Sequence, residues 1–171
     1  MLKKHMMVLM TVVLLTVTMN SCKIGYSFTG ANISPAVKTF SVYYFPNRAR
    51  LINPTLSQDF TEALKEKLQR QTSLNELAED GDLIFEGQIT GYEVRPMSIQ
   101  KDDMAAQNRL TVTIRVKYTN AIDPDQSLDR SFSAFEDFDS FSTLSDVEDS
   151  LVPEIITKIT EDIFNATLAN W

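Results

Sequence analysis

The sequence predicts an α+β fold: a two-layer α/β sandwich with two helices packed on one face of a four-stranded mixed sheet, in the order β-α-β-β-β-α. Three patterns predict it. Leu110, Val112, Ile114, Val116 and Tyr118 alternate with Thr111, Thr113, Arg115, Lys117 and Thr119, the period of a strand dry on one face and wet on the other. Leu56, Phe60, Leu64 and Leu68 recur at helical spacing and form one apolar stripe. Val147, Leu151, Ile155, Ile159 and Ile163 form a second. Both stripes need an apolar surface to cover, and the dry face of the strands supplies it.

In chain order, the β-rich run Lys38 to Phe45 is the first strand, and Pro46 ends it. Asn53-Pro54 then spells a helix start, a capping side chain followed by a proline whose missing N–H costs nothing there. That helix should end near Thr72. Leu74 and Leu77 mark a short edge segment before the turn Asp80-Gly81-Asp82. Leu83 to Val94 reads as a strand whose apolar parity changes, from Leu83, Phe85 and Ile89 to Tyr92 and Val94, so a bulge is expected near Gly91. The strict alternation follows, and Asp123-Pro124-Asp125 turns the chain into a strand from Arg130 to Phe138. Ser145-Asp146-Val147-Glu148 spells a capping box for the last helix. Pro153 lies inside that stripe, so a kink there or a later start near Ser150 is expected.

The N-terminus carries a different signal. Lys3 and Lys4 precede an apolar run from Met6 to Val17, and Met19-Asn20-Ser21 leads into Cys22, the sole cysteine. The run is shorter than the roughly 20 apolar residues that cross a bilayer. Residues 1–21 therefore read as a lipoprotein signal peptide, 22–36 as a lipidated N-terminal segment and 37–171 as a single domain. Cys22 is the lipidation site; the alternative is an ordinary secretory signal with an incidental cysteine. Lys23 follows it, and no acidic residue comes before Asp59. Neither an inner-membrane retention aspartate nor an acidic surface-export cluster adjoins the cysteine, so the expected address is the periplasmic side of the outer membrane.

Composition excludes several functions. The net charge is −7, and loss of Lys3 and Lys4 with the signal makes the body more acidic still, so phosphate backbones would repel it and nucleic acid is not an expected partner. The one histidine, His5, lies inside the signal, which leaves the mature chain without an imidazole base and, with Cys22 acylated, without a thiol nucleophile. No catalytic residue, cofactor or metal site is expected. The acidic groups Asp80/Asp82, Asp102/Asp103, Glu136/Asp137/Asp139 and Glu148/Asp149 lack calcium-loop spacing and read as turns and caps. Phe132, Phe135, Phe138 and Phe141 read as core, Phe135 and Phe141 being the weakest members. Two basic pairs remain as candidate contacts for an anionic ligand or a partner's carboxylates: Arg48 with Arg50 on a loop, and Arg115 with Lys117 on the wet sheet face. Ordinary solvation of surface cations is the competing reading.

Several segments together resemble the LptE family of lipopolysaccharide-assembly lipoproteins. They are Cys22 with Gly25-Tyr26-Ser27-Phe28-Thr29-Gly30-Ala31, Tyr44-Phe45-Pro46-Asn47-Arg48-Ala49, Asn53-Pro54-Thr55-Leu56-Ser57-Gln58, Phe85-Glu86-Gly87, Ala106-Gln107-Asn108-Arg109-Leu110-Thr111, and the ending Asp162-Ile163-Phe164-Asn165 through Asn170-Trp171. The resemblance implies helices on one face of a four-stranded sheet. It further implies a noncatalytic subunit that enters the lumen of the outer-membrane barrel LptD, helps it assemble and aids delivery of lipopolysaccharide. Family members are thought to touch lipopolysaccharide through basic residues near a strand-to-strand turn. Here the matching turn, Asp123-Pro124-Asp125, is acidic, so no lipid-contacting residue carries over. A pilot lipoprotein for another outer-membrane pore and a periplasmic small-ligand binding module remain the alternatives.

Overall fold

A computed structural model describes residues 33–51, 53–97 and 107–169. The signal segment, Cys22, the 22–36 segment as far as residue 32, Asp102/Asp103 and the ending Asn170-Trp171 lie outside them. The elements run Thr39–Val42 (β1), Leu56–Gln71 (α1), Asn75–Glu76 (β2), Leu83–Met97 (β3), Gln107–Asn120 (β4), Leu128–Asp139 (β5) and Leu144–Thr167 (α2), with a 3-10 turn at Pro124–Gln126. The sheet order is β2-β1-β3-β4-β5. β1 lies parallel to β2 and β3, whereas β3, β4 and β5 form an antiparallel meander. α1 is part of the crossover that parallel neighbours require.

The sheet is thus mixed, as expected, but has five strands rather than four. The addition is the two-residue β2, whose residues are both exposed; it lies at the edge between Leu74 and Leu77, where the sequence marks a short edge segment that the four-strand count leaves out. A strand this short is also a poor template for further pairing, which suits its place at the edge. Between Ile89 and Gly91 the β3–β4 register shifts, at the point where the apolar parity changes, and this returns Tyr92 to the dry face opposite Val112. Gly87 is dictated by crowding: a Cβ there would lie 2.0 Å from the Arg115 carbonyl oxygen and 2.8 Å from the Phe45 ring. That ring meets Phe60 edge-on at 5.0 Å, joining the loop after β1 to α1.

α1 begins two residues after the start that Asn53-Pro54 spells: its N-cap is Thr55, and Pro54 precedes the helix rather than opening it, although the Asn53 side chain still serves the helix entry. Asn53 Oδ1 accepts the backbone N–H groups of Thr55 and Leu56, both at 2.9 Å, which satisfies donors that the first turn leaves orphaned. Leu56, Phe60, Leu64 and Leu68 are wholly buried, as are Ile155, Ile159 and Ile163 of α2 and Leu110, Val112, Ile114 and Val116 of β4. Each such side chain contributes about 1.5–3 kcal/mol of hydrophobic stabilisation.

α2 departs from expectation in two respects. Its cap is Thr143, whose backbone N–H and hydroxyl both donate to Asp146 Oδ2, at 3.1 and 2.6 Å, so the capping pair lies two residues ahead of Ser145. The helix is also unbroken from Leu144 through Pro153, and the later start near Ser150 is not adopted. Pro153 is exposed, and the only backbone bond it forfeits is the one to Asp149, while buried Val152, Ile155 and Ile156 hold the flanking turns to the sheet. Phe132 and Phe138 join the core, whereas Phe141 is 89% exposed and Phe135 stays on the wet face. Among the described residues no helix is long and apolar enough to cross a membrane.

Candidate functional site

The meander has two chemically opposite faces. The helices cover one. The other displays a ladder of charge pairs across β3, β4 and β5. Lys117 Nζ donates to Glu86 at 2.6 Å, and Arg115 grips Asp129 through two bonds at 2.9 and 3.0 Å. Arg109 holds Asp137 in the same bidentate manner at 2.7 and 2.9 Å, its guanidinium lying 3.6 Å from the centre of the Phe135 ring. Arg95 pairs with Glu93 at 2.6 Å, and the hydroxyls of Thr113 and Ser133 meet at 3.0 Å. These bonds hold Asp129 and Asp137 below the usual carboxylate pKa, through Arg115 and Arg109 respectively, and raise that of Lys117 through Glu86.

The four sequence-predicted cations therefore separate. Arg115 and Lys117 have carboxylate partners on neighbouring strands. Arg48 and Arg50 are exposed and have none among the described residues. Their loop is nonetheless fixed. Ile89 donates to the Pro46 carbonyl at 3.0 Å and accepts from Arg48 N–H at 2.8 Å, and Asn47 Oδ1 accepts Ala49 N–H at 2.9 Å. Phe45 and Ala49 point inward, while Tyr44, Arg48, Arg50 and Leu51 remain outside.

A cleft of about 280 Å³ lies between the helices, with Ala63, Val152 and Ile156 as apolar lining and Asp59, Glu148 and Asp149 as acids. Glu148 is engaged at its edge: its Oε1 accepts from the Tyr92 hydroxyl and from Asn53 Nδ2 at 2.9 Å. Burial, then the neighbouring Glu148, pushes the Tyr92 phenol well above its ordinary pKa. This network ties β3 to the first turns of both helices. Sequence reading assigned Glu148 to a cap and Tyr92 to the core; the partnership spans 56 residues and left no local mark. Acidic side chains elsewhere serve the backbone. Asp82 Oδ2 accepts Lys38 and Thr39 N–H groups at 2.7 and 3.0 Å, which lowers its pKa. Among the described residues no three His, Cys, Asp or Glu side chains converge as metal ligands would.

Residues 37–167 match the family model LptE, described as lipopolysaccharide-assembly. Among solved structures, the chain is similar to the hypothetical protein CT253 from Chlamydia trachomatis, with 9% identity and a TM-score of 0.51 over 75% of this chain and 94% of that one, a likeness of fold alone. It is also similar to a minor lipoprotein from Acinetobacter baumannii (17% identity, TM-score 0.47, 78% and 97% covered) and to the rare lipoprotein B from Shewanella oneidensis (10%, 0.48, 75% and 92%). No curated protein matches the chain.

Proposed function

This chain belongs to the LptE lipopolysaccharide-assembly family, and we propose that it is a noncatalytic lipoprotein that plugs an LptD-type β-barrel and helps it assemble for lipopolysaccharide transport to the cell surface. LptE proteins form a non-enzymatic, outer-membrane-associated family. In this reading acylated Cys22 holds the body on the periplasmic side. Two or more acyl chains, at about 0.8 kcal/mol per buried methylene, give a stable anchor without a spanning helix.

The observation that carries the reading is the sheet's outer face. It is polar throughout its centre, yet its cations are matched to carboxylates on adjacent strands, so it presents hydrogen-bonding groups with little unbalanced charge. Such a face suits a water-lined barrel interior, which is polar, and would be costly against lipid.

Depletion tests the proposal. Cells losing the protein should lose lipopolysaccharide from their surface while a folded barrel also declines. Surface lipopolysaccharide that persists at its normal level contradicts it. Cys22→Ser should release the protein from membranes, and continued membrane fractionation in cells lacking the barrel contradicts the tether.

A further inference from the structure

We infer that the loop Tyr44–Leu51 is a docking patch for carboxylates on the wall of the partner barrel, an inference that rests on the function proposed above.

Arg48 and Arg50 differ from the other cations. Among the described residues every other Lys and Arg has a carboxylate or a ring beside it. Lys65, Lys67, Arg70, Arg95, Arg109, Arg115, Lys117 and Lys158 are in ion pairs, Arg130 lies over Phe132, and Lys38 stands near Asp82. In a chain with an excess of acid, two adjacent unmatched guanidiniums are the exception. Both are exposed with buried Ala49 between them, on a loop bonded to β3 and anchored by buried Phe45. Tyr44, 61% exposed, and Leu51, 48% exposed, flank them. Arginine and tyrosine dominate interface hot spots, and a loop held rigid before contact loses less entropy on docking.

The choice of occupant follows from charge. A lipid surface bearing phosphates would face the whole body, which is more acidic than the −7 of the full chain once Lys3 and Lys4 leave with the signal, and repel it. Carboxylates placed at discrete positions on a protein wall would meet the loop alone, and the guanidinium fork fits them in bidentate fashion.

The test uses the full acylated chain with a C-terminal tag, isolated from its own membranes at low and high salt. Arg48→Glu with Arg50→Glu should reduce co-isolated barrel at least about tenfold at low salt. Arg48→Gln with Arg50→Gln should give a smaller loss, and Arg70→Gln, at an exposed pair on α1 away from both the loop and the outer sheet face, none. Both loop arginines are exposed and neither side chain makes an ion pair or ring contact among the described residues, so thermal melting of each variant should match that of the parent. If the unaltered chain brings down no barrel, the proposed function fails and this inference with it. If the parent and the reversed variant bring down equal barrel, the function stands and the docking patch falls. Loss of binding to lipopolysaccharide-containing vesicles, with barrel recovery unchanged, would assign the loop to phosphate and overturn the inference.

Discussion

The side-chain amide of Asn53 donates to the Glu148 carboxylate at 2.9 Å while its carbonyl oxygen accepts the Thr55 and Leu56 N–H groups as a side-chain cap just ahead of α1, so one residue holds the entry of one helix and bonds it to the other. Asn53→Ala removes the cap and one of the two donors that Glu148 holds. The expected loss is about 1–3 kcal/mol, read as a lower midpoint in urea with an unchanged slope. Asn53→Asp keeps the cap but sets a second carboxylate against Glu148, so it should also destabilise. A fully stable Asn53→Asp protein would show that the amide bond to Glu148 contributes little.

Gly87→Ala is expected to be among the most damaging single changes. The added methyl would sit 2.0 Å from the Arg115 carbonyl oxygen, a backbone atom fixed by the β3–β4 ladder. Relief requires the two strands to part or the Phe45 ring to move, at a cost of at least about 3 kcal/mol. Thermal unfolding of Gly87→Ala beside Gly91→Ala gives the comparison, since a methyl at Gly91 meets only the Thr113 side chain and amide at 3.1 Å and beyond.

The ion pairs on the outer face predict an acid limb. Asp129 and Asp137 ionise more readily in the fold than at the ordinary value of 3.8, through Arg115 and Arg109. A depressed pKa means that the folded state releases its proton first. The stabilisation is therefore complete above 3.8 and is lost as pH falls through the lower folded values. Arg109→Gln with Arg115→Gln should lower the neutral plateau slightly, both pairs being exposed, and flatten the decline of stability below that pH by the same amount. An unchanged acid limb would assign acid sensitivity to other carboxylates.

Tyr118 predicts the opposite limb. Its hydroxyl is buried and meets no partner, and burial pushes the phenol up to about 12 from 10.0, with Asn120 near enough to ease the shift. The unfolded chain ionises first, so stability contributed by the neutral phenol is intact below pH 10.0 and lost as pH rises toward about 12. Tyr118→Phe removes an unsatisfied polar atom and keeps the ring packed on Phe85 at 5.0 Å. It should be neutral or stabilising by up to about 1 kcal/mol at neutral pH and should soften the alkaline decline.

Local patterns made most of this fold legible, and pairings between distant strands made up the rest. Alternation in β4, the four-residue stripes of α1 and α2 and the parity change near Gly91 are all properties of short windows, and each corresponds to a described feature, while the Asn53-Pro54 signal falls two residues ahead of the helix it announces. β2 lies where Leu74 and Leu77 mark an edge segment, but two exposed residues give too little pattern to count as a fifth strand. Pro153 suggests a later start near Ser150 on backbone chemistry alone, whereas the helix starts at Leu144 and buried Val152, Ile155 and Ile156 hold the turns around the proline. The candidate cations show the same division. Their presence was plain in the sequence, but that Arg115 faces Asp129 and Lys117 faces Glu86 depends on which strands lie side by side. Arg48 and Arg50 could be told from them only once those partners were in place.

The central claim, that this protein works as the plug of one outer-membrane barrel, is tested most directly by isolating the full chain through a C-terminal tag and identifying what accompanies it. A single large β-barrel is the predicted companion. Recovery of a secretin ring, or of the protein alone as a monomer, would contradict the account.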